Sequence, residues 1–149
     1  MKLEKEIKQS KFRNEYHKLA VNVIYTYGWL MNLQTQLFAK YDVTSNQFNI
    51  LRILRGQYPN CATVNLLKER MLDKMSDASR LVERLRVKGL VKRELSLHDR
   101  RRVDVIITEK GLKLLSRIDK LNEQFDALFK NLSNPEAKKL NDLLDKLRG

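Results

Sequence analysis

Residues 72–111 read LDKMSDASRLVERLRVKGLVKRELSLHDRRRVDVIITEKG, and the hydrophobic pattern changes period within them. Up to Gly89 the apolar residues Ala78, Leu81, Val82 and Leu85 recur at spacings of three and four, which puts them on one face of a helix. Asp73 or Ser76 is the expected N-cap, because a short polar side chain can accept from an orphan amide at a helix start. Gly89 stands where a glycine in a left-handed conformation ends a helix. Beyond it LVKREL and VDVIIT alternate with the period of strands, with Val103, Val105 and Ile107 on one face. Between the strands lies SLHDRRR, a hairpin tip with three adjacent arginines. Like charges side by side repel, so this tip is either simply solvated or shaped for an anion.

Working outward toward the N-terminus, TVNLLKERM predicts a short helix with Leu66, Leu67 and Met71 inward. Before it, Pro59 and Asn60 mark a turn, and YDVTSNQFNILRIL predicts a helix through Phe48, Leu51 and Leu54. Thr44 followed by Gln47 has the spacing of a capping box. The span from about Lys8 to Lys40 carries Phe12, Tyr16, Leu19, Val23, Tyr27 and Leu30 on one helical stripe.

Toward the C-terminus, Thr108 and Gly111 lead into a long helix. Its apolar positions Leu114, Ile118, Leu121, Phe125, Leu128 and Leu132 are spaced 4, 3, 4, 3, 4, a seam that asks for a second helix. A last helix opens with Asn134 as N-cap and Pro135 at its first position, Glu136 forming a box with Ser133. It carries Leu140, Leu143, Leu144 and Leu147.

The order is four helices, two strands and two helices: mainly α, with a small β-hairpin. The third and fourth helices form a helix-turn-helix and the hairpin makes it winged. The stripes on the first helix and the two C-terminal helices exceed what one small core needs. They predict a symmetric homodimer with two reading helices about 34 Å apart; folding back into a single core is the other option. Expected dimerisation residues are Phe12, Tyr16, Leu121, Phe125, Leu128, Leu140, Leu143, Leu144 and Leu147.

Charge points to the partner. The chain has 149 residues and a net charge of +12. Between Lys74 and Arg102 ten Lys or Arg face four Asp or Glu, so half of that excess sits in a fifth of the chain. A winged helix-turn-helix with this distribution suits double-stranded DNA. Lys74, Ser76, Asp77, Ser79, Arg80 and Arg84 would face the major groove, where arginine can bridge two acceptors of a guanine. His98, Asp99, Arg100, Arg101 and Arg102 would reach the minor groove, whose negative potential draws in an arginine. An Asp99–Arg101 pair fixing the arginine's rotamer would account for an acid at the tip.

Residues 63–111 resemble the multiple-antibiotic-resistance regulator (MarR) family. SRLVERLRVKGLVKR is similar to that family's recognition helix running into its first wing strand. DRRRVDVIITEKG resembles its wing, with Asp99, Arg101, Val103, Thr108 and Gly111 at the family's positions. KERMLDKMSDAS, with an acid at Asp77, departs from the commoner wording, and the loop RGQYPNCAT is a little long. The resemblance implies one domain over residues 1–149, with DNA binding at about 42–110 and helical dimerisation at about 1–40 and 111–149. It implies a homodimeric regulator, usually a repressor, on a pseudo-palindromic operator. DNA affinity in the family often falls when a small aromatic or lipophilic ligand binds between the dimerisation and DNA-binding parts. Tyr25, Trp29 and Phe48 are candidates to line such a pocket, although aromatic residues at helical spacing more often serve a core.

Other classes fit less well. There is no glycine-rich phosphate loop, no legible nucleophile–base arrangement and no spaced metal set, so neither an enzyme nor a cofactor or metal is expected. Cys61 has no basic cluster beside it in sequence to favour a redox role over an incidental one. No apolar run spans a membrane, and the start of the chain lacks a secretory pattern, which favours the cytoplasm, on the nucleoid when DNA is bound. The competing DNA reading is an architectural protein without sequence preference. Short side chains at the start of the fourth helix favour a reader, since a coating protein would carry lysine there.

Overall fold

The computed structural model describes residues 1–149 apart from Leu97, His98 and Arg100. Helix α1 (Leu3–Glu6) is short, and α2 (Glu15–Phe38) is the long N-terminal helix. The stripe expected from Lys8 is therefore interrupted: Asn14 is extended and its side chain accepts from the His17 amide, which starts the helix there. The arm before it returns along α2, where Lys18 pairs with Glu4 and the Tyr25 hydroxyl donates to Glu6.

After a 3₁₀ turn (Ala39–Tyr41), Thr44 and Gln47 close the expected capping box at the start of α3 (Ser45–Gln57). The two-residue strand β1 (Ala62–Thr63) precedes α4 (Val64–Arg70), and α5 (Ala78–Val87) follows a turn. Strands β2 (Val91–Leu95) and β3 (Val103–Ile107) form the hairpin. The sheet order is β1-β3-β2, all antiparallel, with Ala62 opposite Val105 and Arg93 opposite Val105 on the other side. β1 is too short for alternation to reveal; it exists because β3 offers it a free edge.

The end of α5 follows the helix-stop logic of its sequence. Gly89 has φ +71, its amide donates to the Arg86 carbonyl at 2.8 Å, and the Leu90 amide to the Leu85 carbonyl at 3.0 Å. That bond pair is a Schellman motif, and the buried Leu85 and Leu90 are its hydrophobic partners.

The seam after Thr108 is not one helix. α6 (Glu109–Asp119) stops, and α7 (Asn122–Ala127) begins after two intervening residues, Lys120 and Leu121. The bend returns Leu121 to the interior, 4% exposed, and brings the Phe125 ring to 5.5 Å from that of Phe38. Leu121 thus belongs to this chain's own interior and its assignment to a dimer surface is corrected, while Phe125 is half-buried and packs one side against the core. A 4-3-4-3 spacing fits one straight helix or two that bend round a core, so spacing alone could not choose. In α8 (Asn134–Arg148) the N-cap is Ser133 rather than Asn134, although the Ser133–Glu136 box is present.

One core joins these parts: Phe38, Ile50, Leu51 and Leu54 meet Leu67, Val82 and Leu85, then Val91, Val105, Leu115 and Ile118. The Arg55 guanidinium forks onto the Asp119 carboxylate at 2.7 and 3.2 Å, tying α3 to α6. Among the described residues no helix is long and apolar enough to cross a membrane.

Candidate nucleic-acid interface

Helix α5 buries Ala78, Val82 and Leu85, which turns Ser79, Arg80, Arg84 and Val87 outward. Its N-cap is Asp77, not Asp73 or Ser76: the Asp77 carboxylate accepts from the Arg80 amide at 3.1 Å and lies 3.5 Å from that arginine's Nε. The acid on the reading helix is thus occupied by the helix start. Glu83 binds Arg86 through two hydrogen bonds, 2.9 and 2.7 Å, and sits 3.6 Å from Arg93 on β2. These arginines, that of Arg86 foremost, hold the Glu83 carboxyl below its ordinary range. Among the described residues Arg84 has no acidic partner within 4 Å, which leaves its guanidinium available.

The turn from Leu72 to Asp77 is built rather than loose. The Asp73 carboxylate accepts from the Ser76 hydroxyl at 2.6 Å, the Met75 amide at 3.0 Å and the Asn46 amide group at 3.0 Å. The Asn46 amide group also donates to the Ser76 hydroxyl at 2.7 Å, and the Asn49 side chain accepts from the Leu72 amide at 2.9 Å. Donors converging on Asp73, the Ser76 hydroxyl first, hold its carboxyl below the ordinary range. Satisfied locally, Asp73 and Ser76 make a turn instead of a helical first turn, which is why α5 starts later than its sequence suggests. Ser76 is half-buried within this clasp, and Lys74 donates to the Glu69 carbonyl. Sequence reasoning passed over Asn46 and Asn49; their spacing of three places both on one face of α3, the only signal they carry.

In the wing, the Ser96 amide donates to the Arg102 carbonyl and the Arg102 amide to the Asp99 carbonyl, both at 2.9 Å. Asp99 does bond to Arg101, but through the arginine's backbone amide, at 2.9 Å. Two residues apart in a tight turn, an aspartate oxygen reaches the amide more readily than the guanidinium. Asp99 therefore shapes the tip and leaves the Arg101 side chain exposed, without an ion pair among the described residues. Arg102 is tied to Asp104 at 3.2 Å. His98 and Arg100 lie outside the described residues.

The three aromatic candidates for a ligand pocket do not converge. Tyr25 and Trp29 line a hollow of about 320 Å³ with Leu3, Glu6 and Asn131. Phe48 lines another, of about 520 Å³, between Tyr27, Leu30 and Met31 of α2, Asn46 and Arg52 of α3, and Leu72 and Asp73 of the turn. One helix face cannot serve both: Tyr25 and Trp29 stack four apart, and Tyr27 and Leu30 point elsewhere. Among the described residues no group of His, Cys, Asp and Glu is placed to hold a metal.

Comparison with known proteins matches residues 41–102, from the 3₁₀ turn to the wing tip, to the family model described as the MarR family. The HTH-type transcriptional regulator MgrA of Staphylococcus aureus is 34% identical over 115 residues, covering 75% of this chain and 74% of MgrA. A mutant of MarR from E. coli, solved in complex with operator DNA, superposes with a TM-score of 0.80 at 26% identity, covering 93% of this chain and 99% of that one. An organohalide-sensing transcriptional regulator in its 2,4-dichlorophenol-bound form shares the fold, with a TM-score of 0.83 at 19% identity over 94% of this chain and 85% of that one.

Proposed function

The chain belongs to the MarR family of transcription regulators, and from that premise we propose that it acts as a homodimeric repressor on a pseudo-palindromic operator. The observation that carries this reading is the presence of two unneutralised arginines among the described residues: Arg84 on the outer face of α5 and Arg101, whose backbone amide is held by Asp99. In it Ser79, Arg80 and Arg84 face the major groove, and Arg101 enters the flanking minor groove with Arg102 beside it. Ser76 and Asp77 keep supporting parts, since their side chains hold the turn and the helix start. Residues of about 42–110 form the reading unit, and the N- and C-terminal helices pair the subunits. The protein works in the cytoplasm.

A ligand response belongs to the same reading. The hollow between α2, α3 and the turn is lined by Tyr27, Leu30, Met31, Phe48 and Leu72, and by polar groups that include Arg52, Asn46 and Asp73, the last two of which also fix the approach to α5. A small aromatic molecule seated there would press on the clasp and shift the reading helix. That the organohalide-sensing neighbour was solved with a chlorophenol supports the class of ligand.

The test is selection of bound fragments from a random DNA pool. The expected product is a symmetric motif with half-sites about one helical turn apart, preferred by roughly 10³-fold or more over random DNA. Strongly salt-dependent binding with no enriched motif would instead favour the architectural reading.

A further inference from the structure

The turn before α5 displays an apolar side chain where polar ones would be expected. Met75 is 95% exposed, two residues ahead of the N-cap Asp77, among Lys74, Asp77 and Arg80. It lines none of the hollows beside α2, whereas Leu72 lines that between α2 and α3. Its backbone is fixed: the Met75 amide donates to Asp73, and Asp73 is held by Asn46 from α3. A side chain carried on that frame moves with the N-terminus of the reading helix.

We propose that Met75 reads a thymine in each half-site by packing its thioether end against the C5 methyl group. This deepens the operator reading and rests on it. The major groove offers hydrogen-bond donors and acceptors on every base pair, but the thymine methyl is its distinct apolar feature. An unbranched, polarisable methionine adapts to such a contact without needing a partner of one fixed shape. Arg80 beside it faces the same groove, and Met75 supplies a preference that an arginine–guanine contact does not provide.

Deoxyuridine differs from thymidine only by the missing methyl, so it isolates this contact. Fragments obtained from the selection are synthesised with deoxyuridine at one symmetric pair of thymines at a time, and binding is followed by fluorescence anisotropy. At one such pair the wild type should lose about fourfold in affinity per half-site, the worth of one buried methyl at about 0.8 kcal/mol. Met75→Ala should bind both versions equally, and Met75→Leu, which keeps an apolar end, should still discriminate. An enriched operator bound equally with and without every methyl would overturn this assignment alone, as would discrimination persisting in Met75→Ala. A change in sedimentation of Met75→Ala with methyl discrimination unchanged would place the side chain in a protein contact and overturn it too. Absence of any enriched site would overturn the operator reading, and this assignment with it.

Discussion

Gly111 leaves no room for even one added methyl group. A Cβ there would lie 2.4 Å from the Leu90 carbonyl oxygen and 2.7 Å from Ile107 Cγ1, and the first of these is backbone that cannot swing aside. The Gly111 amide is engaged by Thr108 Oγ1 at 3.1 Å, and that hydroxyl donates to the Gly89 carbonyl at 2.8 Å. The close approach thus pins the start of α6 onto the end of α5. Gly111→Ala should destabilise the fold by about 1–3 kcal/mol, the usual cost of overpacking, read as a lower urea midpoint; an unmoved midpoint would mean the strands part at no cost. Asp73 is the second residue to test, and its effect depends on pH. Because its folded value is depressed below the ordinary 3.8, the ionised form is the one the fold favours. Its contribution is complete above that value and is withdrawn as the pH falls through the folded value. The stability gap between wild type and Asp73→Asn should therefore be constant from about pH 5 to 8 and close on further acidification. A gap that persists into strong acid would show that the carboxylate charge does not matter to the turn.

At the scale of elements, the reading helix and the wing each carry paired arginines and one free arginine. Arg80, Arg86 and Arg102 each have an acid within 4 Å, whereas Arg84 and Arg101 have none among the described residues. A guanidinium already paired must give up its partner to meet a phosphate, so the two free ones should dominate. Arg101→Ala is expected to weaken operator binding by about 1–3 kcal/mol in a titration at physiological salt. Arg102→Ala should cost less; equal losses would show that the Asp104 pair breaks on binding. The same elements divide what sequence discloses from what it hides. Thr44 with Gln47, Gly89, and Ser133 with Glu136 were legible because a cap and its partner stand within a few positions of each other. Strand β1, the bend at Lys120 and Leu121, and the hold of Asn46 and Asn49 on the turn were not. Each depends on a partner far along the chain, which neither periodicity nor propensity registers. The direction of Asp99 toward an amide instead of a guanidinium was hidden for a different reason. Sequence gives the pair of residues, while the turn's backbone decides which donor is in reach.

Across the whole molecule, the apolar surface left uncovered is concentrated on the terminal helices. Leu121 is taken up by the core, yet Tyr16 and Ile24 of α2 are 82% and 71% exposed, and Leu140, Leu143 and Leu147 of α8 are 44%, 53% and 55% exposed. Apolar residues spread over one face of each helix are costly in water and favour a partner. The proposed pairing of two copies covers them and sets both reading helices on one face of a duplex. This separates two substitutions that the seam pattern alone would treat alike. Leu121→Glu would bury a charge in the core and unfold the chain whatever its partner. Leu140→Glu combined with Leu143→Glu falls on an exposed face and should leave the helical content and the fold of one subunit intact. That double variant should sediment as a monomer. Its operator affinity should fall by about a hundredfold or more, because the second half-site is no longer engaged by a tethered reader. Arg101→Ala should then cost the monomer about half what it costs the dimer, since one wing is lost instead of two. A dimer persisting in the double variant would exclude α8 from the interface and leave the Tyr16–Ile24 face of α2 to form it. A monomer retaining full affinity would break the link between pairing and operator symmetry on which the repressor reading depends.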